Sequence, residues 1–285
     1  MIAVLGASGH VGSSVVRSLR EEGISALAVV HSSEQALAWE RENVAARAID
    51  VFDTEALSAL FKDSRRAFLL NPPASPDTDT DAVETATANS IAEAVRNSGM
   101  EKVVLASTYG AQPGDRIGDL SVLHTFEKMV EATGVPTAIN RGAYYFTNLD
   151  PLSGMARQGK ISTPFPPELE MPMVSPVDLG RAAAVRLMSP IDDTGIQYVE
   201  GPQRLTFAQV ANEFASLLGR SVDLTTIARD EIEDSFRNLG FSEAAVVSYA
   251  RMTIASIDGM ELPANPVRGQ VSLRRHIEQI AAAVD

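Results

Sequence analysis

Short, mostly apolar runs separated by amphipathic stretches organise the first half of the chain. Residues 2–5, 26–30, 46–49, 67–70, 102–106 and 135–139 are such runs. Between them, apolar positions recur with helical spacing over 10–22, onward from 33, and over 54–62, 79–97 and 122–132. Continuous apolar runs of strand length read as strands buried on both faces, and strands alternating with helices imply βαβ units in a parallel sheet. The second half has a different pattern. Residues 142–175 read as loop, punctuated by Pro151, Pro164, Pro166, Pro167 and Pro172. Helical spacing returns over 176–189, 206–218, 229–238, 242–257 and 272–283, with a strand at 197–200 rejoining the sheet. Thr206 and Gln209 have the spacing of a capping box, and Gly219 supplies the helix stop. The expected fold is therefore α/β, a Rossmann doubly wound parallel sheet with a smaller, mostly helical C-terminal substrate domain. The boundary is placed at 141/142, with residues near 175–200 returning to the first domain.

Composition narrows the chemistry. The 285 residues carry a formal charge of −13, so no default basic face exists for nucleic acid. There is no cysteine, which excludes disulfides, thiolate metal sites and a thiol nucleophile. Only His10, His31, His124 and His276 are present, too few for a multi-histidine metal centre, and no metal is expected. No apolar run reaches the length of a membrane span, and the chain opens on a strand rather than a basic leader. A cytoplasmic protein acting on a small molecule is the expectation. A homodimer is left open.

The sharpest motif is GASGHVG, Gly6 to Gly12, between the first strand and the first helix. Gly6 permits the tight turn, Gly9 lets backbone approach a pyrophosphate, and Gly12 lets the helix pack against the sheet. Ser8, Gly9, His10, Val11 and Gly12 then border a helix N-terminus whose free N–H groups attract phosphate. At the end of the second strand, an acidic residue would hold the ribose diol of NAD. This chain has Val30-His31-Ser32-Ser33 there, so a 2′-phosphate meets no carboxylate and instead finds His31, Ser32 and a helix start. NADP is the expected cofactor, with NAD as the alternative. Asn71-Pro72, after the fourth strand, lies where the nicotinamide half would pass.

The G-x-x-G-x-x-G spacing resembles the extended and atypical branches of the short-chain dehydrogenase/reductase superfamily. The usual Tyr-x-x-x-Lys dyad of that superfamily is missing: the residues four before Lys62, Lys102, Lys128 and Lys160 are Ser58, Ser98, His124 and Ala156. Residues 123–149, LHTFEKMVEATGVPTAINRGAYYFTNL, resemble the NmrA-like atypical branch and, within it, bacterial NADPH:quinone oxidoreductases and triphenylmethane reductases. The resemblance implies a Rossmann fold and an NADPH-dependent oxidoreductase. It places Asp50 and Val51 at the adenine, Ser107 at the substrate-side hydroxyl, and His124 with Lys128 on the helix that normally carries the dyad.

Lys128 is suited to the ribose of the nicotinamide and His124 to a substrate oxygen; surface contacts four residues back along the helix are the alternative for the lysine, and Glu127 reads as a solvated face residue. Tyr109, Tyr144, Tyr145, Phe146 and Asn148 are candidates for the acceptor side, where aromatic rings stack on a flat molecule or else pack between domains. Three functions stay open. The first is a reductase of quinones or similar flat conjugated acceptors. The second is a non-catalytic cofactor sensor, which the missing dyad keeps in play. The third is a sugar-nucleotide epimerase or isomerase.

Overall fold

The computed structural model describes residues 1–96 and 98–282. The first half runs β1 (Ile2–Val4), α1 (His10–Glu21), β2 (Ala26–Val30), α2 (Ser33–Arg41), β3 (Ala45–Ala48), α3 (Thr54–Lys62), β4 (Arg66–Leu69), α4 (Thr80–Arg96), β5 (Lys102–Thr108), α5 (Asp119–Glu131) and β6 (Thr137–Gly142). The second half runs β7 (Tyr144–Tyr145), a 3-10 turn at Phe146–Leu149, α6 (Leu152–Arg157), β8 (Lys160–Thr163), β9 (Met171–Val174), α7 (Pro176–Met188), β10 (Gly195–Glu200), β11 (Arg204–Leu205) and α8 (Phe207–Leu218). It continues with β12 (Asp223–Thr226), a 3-10 turn at Arg229–Glu231, α9 (Ile232–Asn238), α10 (Glu243–Asp258), β13 (Val267–Arg268) and α11 (Leu273–Ala282). The expected ends of two helices, at 97 and 283, lie outside the described residues.

Eight strands form one parallel sheet in the order β13-β10-β6-β5-β4-β1-β2-β3. The stretch 6-5-4-1-2-3 is the doubly wound order, and its direction reverses between β1 and β4. Alternate residues of β1 feed two cores, as the pleat requires. Ile2 and Val4 join the layer under α1, α2 and α7, while Ala3 and Leu5 join the layer under α3, α4 and α5. Helices α1 and α7 touch closely: a Cβ on Gly180 would stand 2.3 Å from Ser14 Oγ, and that hydroxyl donates to Val177 O at 3.0 Å.

Two buried cations fasten the returning segment. Lys102, fully buried at the start of β5, donates to Ser189 Oγ at 2.8 Å and to Pro190 O at 2.9 Å. Arg186 of α7 reaches Ile139 O, Gly195 O and the Asp193 carboxylate. These bonds seat the turn before β10 and hold that strand beside β6.

The capping boxes of Ser32–Gln35 and Thr206–Gln209 are both formed, and Gly219 ends α8 in the left-handed conformation. Residues 142–175 depart from the loop expectation. They hold α6 and the strands β7, β8 and β9, of two to four residues each. Runs this short, one of them carrying Pro172, give no periodic signal. β7 and β9 join β11 in a three-stranded sheet, and β8 pairs with β12. Against them lies a third core, where Phe165 stacks on Phe207 at 5.0 Å with Tyr144 edge-on to both. Among the described residues no helix is long and apolar enough to cross a membrane.

Candidate functional site

Open α/β sheets hold ligands outside the carboxyl ends of their strands, where the strand order reverses. Here that crevice lies between the β1–α1 turn and the β4–α4 loop. Gly6 has φ +64°, and Gly9 N donates to Gly6 O at 2.9 Å, closing the turn. A Cβ on Gly12 would stand 2.3 Å from Gly6 O, so only glycine lets α1 sit this close. Helix α1 starts at Gly9 with no side-chain cap and no acidic residue in its first turn. Its leading N–H groups are thus free for an anion, next to exposed Ser8, Gly9 and His10. These features fit a dinucleotide pyrophosphate. Val11 is buried beneath the turn. His10 also borders a groove of about 380 Å³ between α1, α7 and α11, lined by Arg17, Arg181 and His276.

At the end of β2, His31 is exposed and carries no carboxylate neighbour in the turn. Ser32 is half-buried and its hydroxyl accepts from Gln35 N at 3.3 Å, so it serves the helix cap. Arg41 lies in the last turn of α2, about 13 Å along the axis from that cap. Asp50 is exposed and accepts from Phe52 N, while Val51 O accepts from Ser90 Oγ at 2.7 Å, which ties the β3–α3 turn to α4. Asn71 turns its amide inward, donating to Glu84 O at 2.9 Å and accepting from Thr87 Oγ1 at 2.7 Å. The side chain therefore shapes the loop through Pro72.

On α5, the helix expected to carry the chemistry, His124, Glu127 and Lys128 have different surroundings. Lys128 is 59% exposed and its Nζ pairs with Glu131 at 2.8 Å on the outer face of α5. The inward-facing neighbour is Glu127, which is fully buried. Glu127 accepts a bidentate pair from Arg141 at 2.9 and 2.7 Å, and a hydrogen bond from Ser107 Oγ at 2.5 Å. Ser107 is consequently bound within a structural network at the ends of β5 and β6. Tyr109 is likewise buried, donating to Glu200 Oε1 at 2.8 Å with its ring edge-on to Tyr198. Burial and the Glu200 carboxylate push its phenol well above the usual range. His124 is half-buried, and its ring has no hydrogen-bond partner among the described residues.

The aromatic candidates divide. Phe146 is completely buried in the third core, against His276, and Asn148 is exposed. Tyr144 and Tyr145 are half-buried. Burial pushes Tyr144 up to about 12, and burial with the Asp119 charge pushes Tyr145 higher.

A group not expected from the sequence occupies the same edge of the sheet. Glu84, in the second turn of α4, is 4% exposed and accepts from Ala74 N at 2.9 Å. The charges of Asp119, the first residue of α5, and of Asp81 act on its carboxyl, and the Asp119 charge acts also on Tyr145 and on Tyr249 of α10. Burial, and then the Asp119 charge, hold the Glu84 carboxyl up to about 8. One signal was available in the sequence: Thr80, Glu84, Thr87 and Ile91 share a helix face, and that face is buried. A carboxylate on a buried stripe marks a perturbed site.

The model of the NmrA-like family matches residues 1–255. The chain belongs to the NmrA-like family. It is 24% identical over 245 residues to an NAD(P)H azoreductase of Xenophilus azovorans, covering 86% of this chain and 83% of that one. Two solved structures share the fold. The triphenylmethane reductase of Citrobacter sp. superposes with a TM-score of 0.83 at 20% identity, over 99% of each chain. An NADPH-dependent quinone oxidoreductase of Escherichia coli superposes with a TM-score of 0.80 at 18% identity, over 99% of this chain and 100% of that one. Both have also been solved with NADP(H) or NADPH bound. Sugar-nucleotide epimerases share the fold as well. At these identities the structural likeness speaks for the fold.

Proposed function

We propose that this NmrA-like protein is an NADPH-dependent reductase of quinones or similar flat conjugated acceptors, azo and triphenylmethane compounds among them. The observation that carries the reading is the uncapped N-terminus of α1 behind the Gly6–Gly12 turn, set at the point where the strand order reverses. The cofactor is NADP(H): the pyrophosphate lies on Ser8 to Gly12, and the adenosine end on His31, Asp50 and the β3–α3 turn. The β4–α4 loop with Pro72 borders the nicotinamide. Bound there, the cofactor supplies a hydride. The chain divides near 141/142, with α7 and β10 returning to the first part, and the acceptor lies toward Tyr144 and Tyr145. An epimerase is disfavoured because the sequence has no Tyr-x-x-x-Lys dyad. The networks holding Ser107 and Tyr109 favour a second reading, a cofactor sensor without turnover.

Following NADPH oxidation across a panel of naphthoquinones, azo dyes, triphenylmethane dyes and simple ketones separates the readings. Turnover with the conjugated acceptors and not with ketones is expected. Tight NADPH binding by calorimetry with no turnover on any member would make the protein a sensor.

A further inference from the structure

The groove between α1, α7 and α11 has a volume of about 380 Å³, at the small end of the range for ligand pockets. Along α1 its wall runs from His10 to Glu21, roughly 16 Å from the glycine turn toward the amino edge of the sheet. Among the described residues, none of its lining comes from the β2–α2, β3–α3 or β4–α4 turns, where the cofactor reading places the adenosine and nicotinamide ends. A dinucleotide on Gly6–Gly12 therefore leaves most of the groove open. Its walls are held in place by hydrogen bonds. Ser14, Ser175 and His276 line it and are each more than nine-tenths buried. Ser14 Oγ donates to Val177 O at 3.0 Å, Ser175 Oγ accepts from Val177 N at 3.2 Å, and His276 Nε2 meets Asp150 Oδ1 at 2.8 Å. The N-terminus of α7 is thus occupied by its own cap, and the positive charge of the groove comes from side chains. Arg17 lies 5.7 Å over the Trp39 ring and has no carboxylate partner among the described residues. Arg181 stands 3.6 Å from Asp178, beyond hydrogen-bond reach, and half of its side chain is exposed. By contrast, Arg141, Arg186 and Arg204 all donate to carboxylates. In a protein of formal charge −13, two arginines with open donors beside one preformed groove make a local attraction for anions. Two acids border it as well: Asp150, bonded to His276, and Glu21 at the far end of α1.

We propose that this groove is a second binding site, for a small hydroxylated organic phosphate of the sugar-phosphate class. Arg17 and Arg181 take the phosphate, since guanidinium donors form the stronger, charge-assisted bonds to it. Ser13, Ser18, Thr147 and Gln279 also line the groove and offer hydroxyl and amide groups to the sugar. Among the described residues the lining has no Phe, Tyr or Trp, so it offers a nucleobase no stacking face. His10 belongs both to the groove and to the glycine turn. Two anions bound on either side of it repel, so each weakens the other by the same factor without displacing it.

Calorimetric titration of the ligand-free protein with glucose 6-phosphate should show one saturable site. Inorganic phosphate should bind about tenfold more weakly, because it leaves the hydroxyl and amide lining without a partner. Arg17→Glu and Arg181→Glu should each raise the dissociation constant about tenfold or more, with the melting temperature nearly unchanged because both side chains are at the surface. Arg275→Glu makes the same charge change on α11 outside the lining, and should stay within about twofold of wild type. Saturating NADPH should raise the constant for glucose 6-phosphate to a plateau about fivefold higher. A rise that follows the NADPH concentration without a plateau would put the phosphate in the dinucleotide crevice and overturn the proposal. Absence of saturable binding, equal affinity for inorganic phosphate, or equal weakening by all three charge reversals overturns it as well. Failure of NADPH to bind would count against the cofactor reading, and the phosphate titrations of the four proteins would still decide the groove.

Discussion

A methyl group added at Gly9 and one added at Gly12 meet different neighbours. At Gly9 the new Cβ approaches only Gly6 O, at 3.4 Å, and the backbone angles are ordinary. Gly9→Val should therefore fold normally while placing a side chain where the pyrophosphate approaches; calorimetry should find NADPH binding lost and the melting temperature nearly unchanged. At Gly12 the Cβ stands 2.3 Å from Gly6 O and 2.6 Å from its carbonyl carbon, and backbone atoms do not step aside. Gly12→Ala should lower stability by about 1–3 kcal/mol, the range for overpacking, seen as an earlier denaturant midpoint. Lys128 provides the converse case. Its Nζ bonds to Glu131 at the surface, and exposed pairs of this kind contribute about 0–1 kcal/mol. Lys128→Ala should leave both kcat and the NADPH KM within twofold of wild type; a tenfold rise in KM would show that the lysine swings inward to the ribose.

Between elements, the interaction that matters most is the one joining α5 to β5 and β6. Glu127 is fully buried and satisfies Arg141, itself 12% exposed, together with Ser107. Removing one member of a buried pair leaves the other charge uncompensated. Glu127→Ala should therefore cost roughly 3–5 kcal/mol, measurable by urea unfolding. The alternation of apolar runs and helical spacing made nearly all of the first half legible in the sequence, because each βα unit spans enough residues to show its period. It also located the glycine turn, since a strand must precede that motif and a helix must follow it. The contacts that cross between units were not legible. Glu127 reads in the sequence as a solvated face residue of α5, and only Arg141, arriving from β6, gives its buried carboxylate a partner. Glu84 and Asp119 are 35 positions apart, and the charge of one acts on the other only because α4 and α5 pack side by side on one face of the sheet. The strands of residues 142–175 escaped notice for a different reason: β7, β8, β9 and their partners are too short to repeat.

For the molecule as a whole, two carboxylates shift in opposite senses and so confine its stability from both sides. Asp193, on the turn that Arg186, Ser189 and Lys102 hold, is lowered from 3.8 to about 2, chiefly by its hydrogen bond to Arg186. A carboxyl depressed in the folded state adds stability above its unfolded value that is lost as pH falls toward the folded one, so acid should loosen the junction of β10 with the sheet. Glu84 does the reverse. Its folded value of about 8 exceeds the ordinary 4.5, so between those limits the native state binds a proton that the unfolded chain does not. Stability then decreases as pH rises through that window, by up to about 1.4 kcal/mol per unit. The formal charge of −13 acts in the same direction through self-repulsion, but salt screens that contribution and leaves the buried carboxyl largely untouched. Melting temperatures measured from pH 2 to 9 in 0.5 M salt should peak near pH 5 and decline toward pH 8. In Glu84→Gln, where no proton is taken up on folding at this position, the decline between pH 5 and 8 should flatten while the acid limb set by Asp193 stays in place. Equal slopes in the two proteins would mean that Glu84 is ionised in the folded state.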